Sequence, residues 1–331
     1  MNDPKAPSIL GIGNALVDIM IQLDSDDRLN ILQLPKGGMT LVDAEKSQAI
    51  DESTEGLKKE ISSGGSVANT CFGLGKLGMK VGYLGKVGND SMGEFYKNEL
   101  VDANVTPVML EGSLPTGKAM ALISKDGERT FGTYLGSAVE MQAEELTNEM
   151  FDGYDYFHIE GYLVQNHALI EQAAKLAKEQ GLKVAIDLAS YNVVEANLDF
   201  LRGLLENYVD IVFANEEEAK AISGLEPEEA LHWIAERSEM AVVKLGKDGS
   251  LVKYEGKVYR ADAEVRNCID TTGAGDLFAA GFFYGLMNNI ALDKCAQIGA
   301  LTGGTVVEII GARVSDELWQ DIKQKIEEIK A

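Results

Sequence analysis

Histidine and cysteine are scarce in this chain, with three of each among 331 residues. His158, His167 and His232 are scattered, which disfavours a His-based metal site or a Ser/His/Asp triad. Cys71, Cys268 and Cys295 show no metal-ligand spacing, and so few thiols fit the reducing conditions of a cytosol. A cytoplasmic location is therefore expected. Positive charge is also short: Lys and Arg total 30 against 53 Asp and Glu, a net charge of −23. That balance argues against nucleic acid or an anionic membrane as partner. It leaves ATP open, because backbone dipoles and a few cations bind phosphate even inside an acidic protein. No apolar run is long enough to span a bilayer, and no basic-then-apolar leader opens the chain. There is no repeat at a fixed period. G-x-x-x-x-G-K-[ST] does not occur, which excludes a P-loop.

What is present centres on Asp270-Thr271-Thr272-Gly273-Ala274-Gly275-Asp276, running straight into Leu277-Phe278-Ala279-Ala280-Gly281-Phe282-Phe283-Tyr284. Gly273 and Gly275 allow a tight turn and a close ligand approach. The apolar continuation predicts a buried helix whose first N–H groups lack internal partners and carry partial positive charge. Gly273, Ala274 and Gly275 thus read as an anion site made of backbone. Asp276 at its lip is a poor phosphate ligand but a suitable base for the proton of an attacking hydroxyl. Its bland alternative is a helix cap.

Along the chain, Ser8–Gly13 reads as a buried strand and Asn14–Leu23 as a partly polar extended continuation. Asp24–Lys36 reads as irregular. Ser62–Ser66 reads as a turn, with Ser66 capping a helix that carries Val67, Cys71, Leu74 and Gly78 on one stripe. Lys80–Leu84 is an expected short strand and Ser91–Asp102 an amphipathic helix. Ala119–Ser124 and Arg129–Tyr134 flank a hairpin turn. From about Tyr154, strands expected at Tyr156–Glu160, Lys183–Asp187, Val209–Ala214 and Ala241–Leu245 alternate with helices near 173, 202, 219 and 232. Such alternation means an α/β fold with a parallel sheet covered on both faces. Ligands then bind at the strands' carboxyl ends, where Asp187, Asn215 and Gly246 fall. The N-terminal half has material for a small β lid, with segments of approximately 14–42 and 106–135, grown from a single domain.

Other motifs carry less. Gly73-Leu74-Gly75-Lys76-Leu77-Gly78 matches the dinucleotide fingerprint by letter but ends a helix instead of opening one, which disfavours a dinucleotide oxidoreductase. Gly64-Gly65-Ser66-Val67-Ala68-Asn69 is a second glycine-rich helix start, whose Asn69 amide can both donate to and accept from a sugar hydroxyl. Asp18 can accept from two adjacent hydroxyls, so that Asp18, Gly64, Gly65 and Asn69 resemble a polyol pocket. Asn215-Glu216-Glu217-Glu218 opens a helix on an expected exposed first turn. It reads either as acidic residues favouring the helix dipole or as a water-mediated Mg²⁺ site.

These residues resemble the ribokinase, or PfkB, family of carbohydrate kinases. Two signatures carry the resemblance: Gly64–Asn69 with the stretch through Gly88-Asn89-Asp90, and Asp270–Asp276. Asn215-x-x-Glu218 and Lys244-Leu245-Gly246-x-x-Gly249 lie between them in the family's order, and nearly the whole chain is covered. The resemblance implies a ribokinase-like (Rossmann-like) three-layer α/β/α sandwich with a small β lid. It implies ATP-dependent phosphorylation of a hydroxymethyl group on a nucleoside, or on a sugar such as ribose, fructose or 2-keto-3-deoxygluconate. By the same resemblance Asp276 is the catalytic base, Gly273, Ala274 and Gly275 form the anion hole, and Arg129 comes near the phosphates. Asp18, Gly64, Gly65 and Asn69 would hold substrate, and Asn215, Lys244, Gly246, Gly249 and Thr272 would lie near the nucleotide. Glu218 would hold Mg²⁺ through water. Asp270, Thr272, Gly311 and Ser315 match the K⁺ site found in some members. Gly11–Asp18 and Gly127-Glu128-Arg129-Thr130 look most like the adenosine kinase branch. Two positions depart from the pattern: Tyr134 replaces an Asn frequent in nucleoside kinases, and Lys244 stands where many members have Thr. ATP and a small sugar or nucleoside are the implied partners, with a homodimer as the oligomeric option. The alternative function is a catalytically inactive nucleotide- or sugar-binding relative.

Overall fold

The computed structural model describes residues 6–331, so the expectation that no leader opens the chain falls in part outside the described residues. The chain begins with β1 (Ser8–Ile12) and β2 (Leu16–Gln22), followed by α1 (Asp27–Ile31), β3 (Met39–Leu41), α2 (Ala44–Ser53) and β4 (Lys59–Gly64). Next come α3 (Ser66–Lys76), β5 (Lys80–Gly88), α4 (Ser91–Asp102), β6 (Val105–Gly112), β7 (Gly117–Ile123) and β8 (Arg129–Tyr134). The alternating part contains β9 (Tyr156–Glu160), α5 (His167–Glu179), β10 (Lys183–Asp187), α6 (Tyr191–Ala196), α7 (Leu198–Asn207), β11 (Ile211–Asn215), α8 (Glu216–Ser223), α9 (Pro227–Ala235) and β12 (Met240–Lys244). It closes with β13 (Ser250–Tyr254), β14 (Lys257–Ala261), α10 (Ala274–Met287), α11 (Leu292–Val306) and α12 (Asp316–Lys330).

Nine strands form the large sheet in the order β14-β13-β12-β11-β10-β9-β1-β5-β6. It is parallel from β12 to β6, with β13 and β14 added as an antiparallel edge. Its strands are apolar on both faces, because helices cover both. Ile9 packs into one core with Phe282 and Phe283 of α10, while Leu10 and Ile12 enter another with Leu169 and Ile170 of α5. This is the expected α/β/α sandwich.

The second sheet has five strands in the order β3-β8-β7-β2-β4. Val17, Ile19, Ile21, Met120 and Leu122 share a buried cluster with Leu29, Leu34 and Ile50 from the segment that includes α1 and α2. The opposite face carries Asp18 and Arg129 toward the head of α10, as the contacts below show. The lid is therefore a one-sided sheet.

Several details differ from the sequence reading. β5 runs nine residues instead of five; buried on both sides, it continues to Gly88. Asp24–Lys36 contains a helical turn, α1, seated by Leu29, which is 2% exposed. β6 pairs with β5 in the large sheet, although it falls within the 106–135 lid segment; β4, outside both expected segments, belongs to the lid. Ser66 does not cap α3. Gly65 does, at φ +100°, and Ser66 is the first helical residue.

Candidate active site

The head of α10 supplies the central feature. Gly273 precedes the helix at φ +78°, a left-handed conformation that favours glycine, and a Cβ there would lie 2.6 Å from Ala312 Cβ. Both backbone and space therefore require glycine at this position. Leu277, Phe278, Ala279 and Ala280 are buried, which fixes the helix against α3 and α11. The N–H groups of its first turn have no intrahelical acceptor, and no side chain caps it.

Asp276 does not act as the cap. Its Oδ1 accepts from Ser66 Oγ at 2.7 Å and its Oδ2 from Asn69 Nδ2 at 2.8 Å. Thr70 Oγ1 also donates to the Asp276 carbonyl at 3.0 Å. Burial pushes this carboxyl up to about 6 against the pull of Asn69 and Ser66, with Asp187 raising it further and Lys244 opposing.

Asp18 reaches the same space from β2. A Cβ on Gly64 would collide with its carboxylate, so Gly64 is needed to seat Asp18, and a Cβ on Gly65 would strike the Asn14 carbonyl. Burial raises Asp18 to about 6, Arg313 lowers it, and Asp276 raises it. Glu160, which the sequence reading missed, lies beneath. It accepts from Asn14 Nδ2 at 2.8 Å and from the Val67 N–H at 3.2 Å, and burial holds it up at about 7.

Asn69, read as meeting a sugar hydroxyl as donor and acceptor, has both ends of its amide engaged within the protein, with one N–H and one lone pair left over. The second partner is Arg313 Nη1, 2.7 Å from Asn69 Oδ1. Arg313 was seen in the sequence only as part of a loop. No local pattern flags it, because its partners lie about 240 positions earlier.

At the carboxyl end of β11, Asn215 and Glu218 form a capping box: Glu218 N–H donates to Asn215 Oδ1 at 2.9 Å and Asn215 N–H to Glu218 Oε2 at 2.8 Å. Glu218 is not on an exposed turn; it is 2% exposed. Packing of α8 against α6 and α9 covers it. Burial raises it to about 7, as does Asp187, with Lys244 opposing. Lys244 Nζ pairs with Asp187 Oδ2 at 2.7 Å. Burial alone would lower the Lys244 pKa, but Asp187 and Glu218 outweigh it and raise the value. A Cβ on Gly275 would lie 3.1 Å from Lys244 Nζ, so this cation sits against the backbone anion site. Gly246 and Gly249 flank a turn just after β12, both at positive φ. Gly249 is also required by the fold, since a Cβ there would collide with the Ala261 carbonyl.

A second cluster surrounds Asp270. Its Oδ1 accepts from Thr272 N–H at 3.0 Å and Thr272 Oγ1 at 2.8 Å; its Oδ2 accepts from Gly311 N–H at 2.6 Å and pairs with Arg129 at 2.5 Å. Arg129 also donates to Thr272 Oγ1 at 3.2 Å, which docks the lid hairpin on this loop. Burial would raise Asp270, but Arg129 and the Gly311 and Thr272 donors hold it below the usual carboxylate range. Ser315 is turned to other work, accepting from Leu318 N–H as the cap of α12. With the Asp270 lone pairs filled and Ser315 capping, this donor set does not fit K⁺. Glu218 and Asp187 stand with Lys244 near the head of α10, Glu218 bonded to Asn215 and Asp187 paired with Lys244. Among the described residues no three His, Cys, Asp or Glu side chains converge as a metal site. Nor is any helix among them long and apolar enough to cross a membrane.

The chain has relatives among known proteins. The profile of the pfkB family carbohydrate kinases matches residues 33–319. A probable sugar kinase from Rhizobium etli CFN 42 superposes with a TM-score of 0.85 at 32% identity, covering 97% of this chain and 99% of that one. Adenosine kinase from Sinorhizobium meliloti gives 0.85 at 33% identity, again with 97% and 99% covered. By sequence, the 5-dehydro-2-deoxygluconokinase of Geobacillus thermodenitrificans is 28% identical over 296 residues, 81% of this chain and 85% of that protein. The chain thus belongs to the pfkB family of carbohydrate kinases, phosphotransferases that act on alcohol groups.

Proposed function

We propose that this protein transfers the γ-phosphoryl group of ATP to the hydroxymethyl group of a nucleoside, with Asp276 as general base. The observation that carries the chemistry is the position of Asp276. Its carboxylate is fixed by Ser66 and Asn69 at the first turn of a helix that no side chain caps, although the Ala274 N–H already donates to the Thr271 carbonyl at 3.1 Å. Proton acceptor and anion site therefore share one helical turn, as in-line transfer to a hydroxyl needs. The backbone of Gly273, Ala274 and Gly275 binds the transferring phosphoryl oxygens. Lys244, beside Gly275, and Arg129, beside Thr272, balance their charge. Asp18 accepts from the acceptor's hydroxyls, with Gly64 and Gly65 giving it room. Mg²⁺, when bound, would be held through water by Glu218 and would supply charge neutralisation for the phosphates, with Asn215 near the nucleotide.

The lid supports a nucleoside. Strand register puts Met20, Ala121, Phe131 and Met39 in one row across the lid, on the face of Asp18 and Arg129. Met39 and Leu41 are 59% and 55% exposed, unusual for large apolar side chains. Met120 and Leu122, in contrast, are fully buried in the lid's other layer. An apolar wall facing a polar pocket suits a planar base attached to a sugar. The test is phosphorylation of a panel of nucleosides and free sugars with labelled ATP and Mg²⁺. Nucleosides should be labelled at higher kcat/KM. Labelling of free sugars alone would replace the nucleoside reading by a sugar kinase, and labelling of neither would favour a binding-only relative.

A further inference from the structure

We infer that Arg313 is a positioning residue for this reaction, locking the Asn69 amide in the orientation that presents its NH₂ group to Asp276. The inference rests on the reading of Asp276 as base. Arg313 lies between α11 and α12, yet it reaches α3 and lid strand β4. Its Nη1 donates to Asn69 Oδ1 at 2.7 Å, and its Nη2 donates to Ser63 Oγ at 2.7 Å and to the Ser63 carbonyl. The guanidinium stacks over the Phe72 ring, 4.1 Å from its centroid.

The orientation follows from the inventory of donors and acceptors. A guanidinium only donates and a carboxylate only accepts. Asn69 stands between one of each, so its oxygen must face Arg313 and its nitrogen must face Asp276. A flipped amide would set oxygen against carboxylate and NH₂ against guanidinium, losing both bonds. Without Arg313, an amide beside Asp276 could still donate to it, but nothing would hold its other end, and rotation about the side chain would carry the carboxylate with it. Because Ser63 closes the same fork, the root of the lid and the base are tied by one residue. The competing account is that Arg313 merely staples its loop to β4.

The test uses the full chain with Arg313→Met, Arg313→Lys, Asn69→Ala and the pair Arg313→Met/Asn69→Ala, each checked for folding by thermal denaturation. The first readout needs no acceptor: the ¹⁵N–¹H signals of the Asn69 side-chain amide, assigned by their loss in Asn69→Ala. In the wild type they should be shifted from free-amide positions and slow to exchange. Arg313→Met should speed exchange about tenfold or more, since the amide is then held at one end only and its bond to Asp276 opens more often. The second is kinetic. Arg313→Met should lower kcat by about 10- to 100-fold through misplacement of the base, with KM for ATP moving less than about threefold. The double variant should lose much less than the two single losses combined, because Arg313 acts on the base through Asn69 and only its charge acts on Asp18. If Arg313→Met does not fold, Arg313→Lys carries both readouts, since it keeps the charge and the stem but loses the fork. Unchanged Asn69 signals in Arg313→Met, or additive losses in the pair, would overturn the inference. A wild type that phosphorylates nothing on the panel would instead overturn the kinase assignment, and the amide spectrum would still decide the role of Arg313.

Discussion

Four carboxyls in and beside the cleft share one cause and oppose each other's company. Burial lifts Asp18 and Asp276 to about 6, and Glu160 and Glu218 to about 7. A carboxyl raised in the folded state binds its proton more tightly there than in the unfolded chain. Its stabilising contribution is complete below the unfolded value and is lost as pH rises through the folded one. Thermal stability should therefore increase on acidification from about pH 8 to about pH 5, whereas kcat/KM should fall below about pH 6 as Asp276 takes up its proton. The carboxyls held low, such as Asp90 and Asp270, act in the opposite sense but only at more acidic pH. Melting curves and rates collected over the same buffers check this; a Tm and a kcat/KM that fall together between those limits would count against it. Glu218 combines two roles. Glu218→Ala removes half of the capping box on α8 and should lower stability by about 1 kcal/mol, a cap's usual worth, while raising the Mg²⁺ concentration needed for half-maximal rate. An unchanged Tm together with an unchanged Mg²⁺ requirement would rule out both roles.

At the scale of elements, what could be read from the sequence was what is local. The apolar runs of β9 and β10 stand where strand-helix alternation places them, and β11 and β12 lie within two residues of expectation. α10 follows Gly273 as its composition requires. What could not be read was distant pairing. β4 joins the lid because it pairs with β2 some forty residues earlier, and its own polar sequence carries little strand signal. Asn69 looked free because its partners, Asp276 and Arg313, lie more than 200 residues away. Glu218 looked exposed because an acidic first turn usually is, and only the packing of α6 and α9 buries it. Glycine was legible as a turn signal, but not what each one makes room for. Gly273→Ala should destabilise by about 1–2 kcal/mol from the left-handed backbone alone, and more from the clash with Ala312. Gly64→Ala is not at positive φ, so it should act mainly on substrate KM by displacing Asp18. Equilibrium unfolding and acceptor KM separate the two, and equal unfolding losses in both variants would contradict the distinction.

At the scale of the whole molecule, a large sheet carries the helix head and a one-sided lid covers it. The two meet at Arg129, which pairs with Asp270 and Thr272 from the hairpin between β7 and β8. The family resemblance brings Arg129 near the phosphates; in the structure it is docked on the loop that leads into α10. Arg129→Ala should therefore lower kcat more than KM and speed hydrogen exchange of amides 119–134. Unchanged exchange there would mean that this contact does not hold the lid. The kinetic expectations rest on one carboxylate taking the acceptor's proton. The most direct test is kcat of Asp276→Asn beside its ATP affinity. With the backbone anion site left in place, the account predicts kcat lowered by about 10²–10⁴-fold and an ATP Kd changed far less. A folded Asp276→Asn enzyme turning over near the wild-type rate would contradict it.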